Sequence, residues 1–120
     1  MGEIEIPRKK EFRIRMDNET FETPRITGNL NSVIVDSKET VSVTITSSLG
    51  YLIFHNAMHK GIVYYAPRAV LQGAQANLIV QDQFDKFVLD ETLDIRVSGP
   101  NSAETMITLR IDWFFLIYIK

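Results

Sequence analysis

Apolar and polar positions alternate along much of the chain. In "EFRIRMD" (Glu11–Asp17), Phe12, Ile14 and Met16 alternate with Glu11, Arg13, Arg15 and Asp17. Successive side chains of a strand point to opposite faces, so this period of two predicts a strand with one dry and one charged face. "ETVSVTIT" repeats the pattern, with Val41, Val43 and Ile45 against Thr40, Ser42, Thr44 and Thr46. Threonine on the wet face adds strand propensity. "TLDIRVSGP" repeats it again with Leu93, Ile95 and Val97, then breaks into a turn at Gly99-Pro100-Asn101.

Five more runs are short, β-branched or aromatic, and bounded by turn residues. They span Ser32–Asp36, Gly50–His55, Gly61–Ala66, Asn77–Val80 and Lys86–Asp90, and they predict more deeply buried strands. A spacing of about ten residues suits an antiparallel sandwich or barrel. It does not suit βαβ units, which need a long amphipathic helix between strands. Pro67–Ala76 has a proline fit for a first helical turn, but Gly73 weakens its interior. A single turn or an ordered loop fits that segment equally well. Residues 17–31 are turn-rich and predict a long connection containing one short extended piece. The expectation is an all-β antiparallel β-sandwich, jelly-roll-like, of about eight strands with long loops and little helix. Residues 1–10 would form an extended arm and residues 11–120 a single domain.

The final strand changes character along its length. Its odd positions Ile107, Leu109, Ile111, Trp113, Phe115, Ile117 and Ile119 are all apolar. Its even positions begin Met106, Thr108, Arg110, Asp112 and then become Phe114, Leu116, Tyr118. One face is therefore wet at the start, and both are dry at the end. Burying three such side chains is worth about 5–9 kcal/mol, while a domain of this size is stable by only about 5–15 kcal/mol. The second dry face needs a cover, either from within the chain, through the 17–31 connection or the "AVLQGAQANL" segment, or from a neighbouring subunit, which is the expected one. Ile4 and Ile6 flank Pro7 in the arm and join Phe114, Leu116 and Tyr118 as expected subunit-interface residues.

Composition narrows the range of function. A chain of 120 residues, 45% hydrophobic and 23% charged, predicts one globular domain with one core. A net charge of −2 argues against direct nucleic-acid binding. The absence of cysteine removes disulfides, thiolate nucleophiles and cysteine metal sites, and it fits synthesis in a reducing cytoplasm. The first residues show no secretory signal, and no segment approaches the roughly 20 apolar residues of a membrane helix.

Catalytic patterns are missing. His55 and His59, in "HNAMH", have the spacing of one helix face. Asn56 stands where a zincin needs glutamate, and Gly61 follows closely. Two turn or surface histidines are expected, with no metal. Asp82, Asp85, Asp90 and Glu91 lie among Phe84, Phe87, Val88 and Leu89, with no glycine to shape a calcium loop. A solvated strand edge and turn are expected there. No serine sits in G-x-S-x-G, and there is no Walker loop. No catalytic residue, cofactor or enzymatic activity is expected. "PRKK" (Pro7–Lys10) is either an arm for an acidic partner or a protected strand edge. Its neighbours Glu3, Glu5 and Glu11 favour the edge. Tyr64 and Tyr65 form the remaining aromatic platform for a carbohydrate or receptor, since adjacent strand residues face opposite ways.

With its intact start "MGEIEIPRKKEFRIR", short strands joined by long loops, and aromatic end "RIDWFFLIYIK", the chain resembles the small cysteine-free β-sandwich proteins of tailed-bacteriophage particles. These include capsid decoration proteins, head-tail adaptors and tail accessory subunits. The resemblance implies a non-enzymatic structural subunit of a virion. Its partners would be copies of itself and other virion structural proteins, with no membrane. The alternative is a carbohydrate- or receptor-binding β-sandwich module.

Overall fold

The computed structural model describes the backbone of residues 2–72, 79–100 and 104–119 and the side chains of 8–69, 85–100 and 104–113. The strands are β1 (Gly2–Arg15), β2 (Thr20–Glu22), β3 (Ile26–Ser47), β4 (Leu52–Tyr65), β5 (Ala69–Gln72), β6 (Ile79–Asp85), β7 (Val88–Glu91), β8 (Leu93–Ser98) and β9 (Met106–Ile119). Every pairing is antiparallel. No α-helix occurs among the described residues.

Seven strands form one hydrogen-bonded sheet, and β5 and β6 form a separate two-stranded one. The all-β, antiparallel architecture predicted from the sequence is present, and the seven-stranded sheet curls into a half-barrel whose concave face holds the core. One difference lies in β3. The sequence suggested separate strands at 32–36 and 39–46, but one strand of 22 residues runs through both. One of its edges pairs with β7 over Ile26–Asn29 and then with β4 over Val33–Thr46. The other pairs with β9 over Asn29–Asp36 and then with β8 over Ser42–Ser47.

Two irregularities let β3 serve both halves. The first is at Asn31, where Leu30 opposes Ile111 and Ser32 opposes Arg110, leaving Asn31 as the extra residue. A bulge of one residue reverses the inward parity. Ile26 and Leu30 are buried before it, and Val33 and Val35 after it. The second is the corner at Lys38–Thr40, all exposed. Four steps of β3 from Ser37 to Val41 there match two steps of β4 from Gly61 to His59. Gly61 meets the bend with φ +82, a backbone state that L side chains rarely adopt.

Alternation delivers the core as the sequence predicted. Strand β8 reads buried-exposed throughout, with Leu93, Ile95 and Val97 inward. In β9, Ile107, Leu109 and Ile111 are fully buried, while Arg110 is exposed. Local expectations change in detail. Within the 67–76 segment Ala69–Gln72 form strand β5, and residues 73–76 lie outside the described residues. The runs at 50–55 and 61–66 are one strand, β4, with an extra residue between Asn56 and His59. β1 runs unbroken from Gly2 to Arg15, so residues 2–10 are extended and continuous with the strand beginning at Glu11.

The molecule is elongated, at 57 × 37 × 23 Å with a radius of gyration of 16.6 Å. A compact chain of this length is expected near about 14 Å.

Gly28 is the tightest backbone approach. Its φ is +136, and a Cβ there would lie 2.5 Å from Ile111 Cγ2 and 2.8 Å from the Asp112 carbonyl oxygen. Gly28→Ala is expected to destabilise the fold by about 2–4 kcal/mol through combined overpacking and backbone strain. Thermal melting should show a midpoint lower by roughly 10 °C.

Candidate functional site: a ribbon that leaves the sheet

Strand β9 lies between β1 and β3 only as far as Asp112, which pairs with both Lys9 and Asn29. Beyond it, Trp113–Ile119 pairs with Gly2–Arg8 alone. Among the described residues no third strand joins this two-stranded ribbon. The register separates the expected interface residues. Ile4 and Ile6 oppose Ile117 and Phe115, whereas Phe114, Leu116 and Tyr118 oppose Pro7, Glu5 and Glu3. Directly opposed residues share a face. The two isoleucines therefore belong to the odd-numbered face of β9, and Phe114, Leu116 and Tyr118 to the other. The side chains of these five residues lie outside the described set.

A polar cluster anchors the root of the ribbon. Lys86 Nζ donates to Asp112 Oδ2 at 2.7 Å, and Asn31 Nδ2 donates to the same oxygen at 2.9 Å. Arg68 donates to the Asn31 carbonyl at 3.0 Å, which ties the bulge to the end of β4. The Lys10 ammonium sits 4.6 Å from the Trp113 ring centroid, within cation–π range. Lys9, Asn31, Lys86, Asp112 and Trp113 line one open groove here. The Lys86 bond, followed by that of Asn31, holds the Asp112 carboxyl below its usual pKa against the opposing effect of burial.

"PRKK" lies on an edge strand. β1 ends the strand order, so the cluster sits at a sheet edge. On its outer face, Glu11 bonds Arg110 at 3.1 Å and Arg13 at 3.3 Å.

The tyrosine pair divides. Tyr64 is 63% exposed, with the Arg110 guanidinium 5.5 Å from its ring centroid. It shares a shallow outer groove with Ile34, Ile62, Met106 and Asp36. Tyr65 turns inward against Phe54. Its hydroxyl accepts from Asn56 Nδ2 at 2.8 Å and meets His59 Nδ1 at 2.7 Å.

The histidines also part. His55 is exposed and contacts Thr44 Oγ1 at 2.8 Å. His59, expected in a turn or at the surface, is only 1% exposed, and its Nε2 lies 2.8 Å from the Gly61 carbonyl oxygen. The extra residue of β4 between Asn56 and His59 sends the two rings to opposite faces. The acidic run scatters in the same way. Asp90 faces out and takes a two-pronged bond from Arg25 at 2.8 Å. Glu91, expected to be solvated, is 7% exposed. It accepts from the Tyr51 hydroxyl, from Ser47 Oγ and from the Asp90 backbone N–H. Burial, then the Glu91 bond, raises the Tyr51 pKa. This buried trio fastens the 47–51 turn to β7. Tyr51 and Ser47 carried no sequence signal as its partners. The side chain of Asp82 lies outside the described residues.

No group of three or more potential metal ligands occurs among the described residues. No helix long and apolar enough to cross a membrane occurs among the described residues. The chain matches no family model, no curated protein and no solved structure.

Replacing Lys86 with methionine should raise the Asp112 pKa toward its ordinary value, measurable by carboxyl NMR titration. A depressed folded pKa adds stability above the unfolded value near about 3.9, and that stability is lost as pH falls through the folded value. Wild type should therefore exceed Lys86→Met by up to about 1 kcal/mol at neutral pH, since the pair is partly exposed. The gap should close in strong acid.

Proposed function

We propose that this chain is a non-enzymatic assembly subunit that docks on neighbouring subunits through the ribbon of β1 and β9. The observation that carries the reading is the departure of β9 from β3 at Asp112. From there an unbroken apolar run, Trp113–Ile119, is paired with a single strand. Two strands alone are marginal in water and need a packed face. A neighbouring subunit supplies that face at Phe114, Leu116 and Tyr118, and at Ile4 and Ile6 on the other side. The setting is a virion, as a capsid decoration or stabilising protein, in keeping with the phage-particle resemblance. The jelly-roll-like sandwich belongs to the same proposal, with the concave half-barrel completed by partner strands.

Purified wild-type protein is expected to be oligomeric in light scattering, and Phe114→Ser and Leu116→Asp to be soluble monomers with unchanged far-UV circular dichroism. A wild-type monomer at high micromolar concentration would overturn the reading.

The exposure of Tyr64 beside Arg110 favours a second reading, a carbohydrate- or receptor-binding surface in the outer groove. A glycan array that gives signal with wild type and none with Tyr64→Ala supports it; silence with wild type removes it.

A further inference from the structure

Resting on the assembly reading, we propose that the partner at β1 is a second copy of this chain, paired antiparallel along β1 in a register centred on Lys10. The two curled sheets would then continue through one two-fold axis.

The strand edges of the sheet differ in openness. β2 and β7 have three and four residues. β4 is long, but a bulge interrupts it, and its own side chains cap its backbone. Asn56 Oδ1 takes the Met58 N–H at 3.0 Å, and His59 Nε2 meets the Gly61 oxygen. Bulges and capped groups oppose edge pairing. β1 is open along 14 residues with no break in its register to β9. Its ladder also passes through Pro7, opposite Phe114. A proline in an edge strand turns its missing N–H outward. The odd residues of β1 therefore present their backbone groups to the open edge.

The charge order along β1 selects the occupant. The strand is acidic at Glu3 and Glu5 and basic at Arg13 and Arg15. An antiparallel second copy therefore brings opposite signs together. Centred on Lys10, Glu5 meets Arg15, Lys9 meets Glu11 and Ile6 meets Ile14 of the other copy. Lys9 and Arg15 form no salt bridge among the described residues. One like-charge pair remains, Lys10 with Lys10, and each of these lies over its own Trp113. Centring on Lys9 instead sets Arg8 on Lys10, Lys9 on Lys9 and Lys10 on Arg8. Three like-charge contacts at the axis exclude that register, since like charges directly opposed across strands destabilise them. A two-fold axis needs a self-complementary patch, and β1 is one.

The experiment combines a charge swap with a register probe. Arg15→Glu and Glu5→Arg should each weaken dimerisation by about tenfold or more in sedimentation. The double variant Glu5→Arg/Arg15→Glu should restore it. Because the chain has no cysteine, Lys10→Cys reports the axis. Even-numbered pairs are then the non-hydrogen-bonded ones, with Cα atoms about 4.5 Å apart, inside the disulfide range. Oxidised Lys10→Cys should give a covalent dimer, and Lys9→Cys should not. A double variant no better than the single ones, or cross-linking at Lys9→Cys instead, overturns the proposal. If the charge variants change nothing while Leu116→Asp dissolves the oligomer, the ribbon reading stands and this register fails. If the swap restores pairing and Leu116→Asp has no effect, the register stands and the ribbon reading fails.

Discussion

Strand β3 hydrogen-bonds to four other strands, and the rest of the fold depends on how it bends. Its edges must satisfy β7 and β4 on one side and β9 and β8 on the other. A straight strand of 22 residues would span about 70 Å and could not wrap a core. The bulge at Asn31 and the corner at Lys38–Thr40 divide it into shorter spans whose dry faces converge. The polar groups at Asn31 follow from that geometry. An extra residue cannot pair in the ladder, and here its amide side chain bonds Asp112 while its carbonyl takes Arg68. A device that redirects apolar side chains thereby also builds the base of the ribbon.

That base marks a division of labour along β9. Up to Asp112 the strand is hydrogen-bonded on both edges and buries one face in the core. After it the strand keeps only β1 among the described residues. The apolar content of β9 rises where its pairing to β3 ends. Charged residues are grouped at the crossing, where Lys86 bonds Asp112 and Lys10 lies over Trp113.

Much of this architecture was legible in the sequence. The period-two stretches around Ile14, Val43, Ile95 and Leu109 are strands with those residues buried. The change of the even face of the last strand at Phe114 falls within two residues of the point where β9 leaves β3. Tyr64 and Tyr65 face opposite ways, as adjacent strand positions must. Other features were hidden. His55 and His59 share parity, so alternation alone would put them on one face. Only the extra residue in β4 separates them. Glu91 looked like surface because its partners, Ser47 and Tyr51, lie more than forty positions away or nearly so. Distant hydrogen bonds leave no local pattern.

By itself, the sequence determined the period-two strands around Ile14, Val43, Ile95 and Leu109, which of their residues face inward, and where the last strand becomes apolar at both parities. Those properties follow from alternation and composition, which act between near neighbours along the chain. Only the tertiary structure decided that one strand spans both halves, that the seven-stranded sheet is curled, and that β1 rather than β4 is the regular edge. Those outcomes depend on register, and one inserted residue at Asn31 or before His59 changes register without disturbing the local pattern that announces a strand.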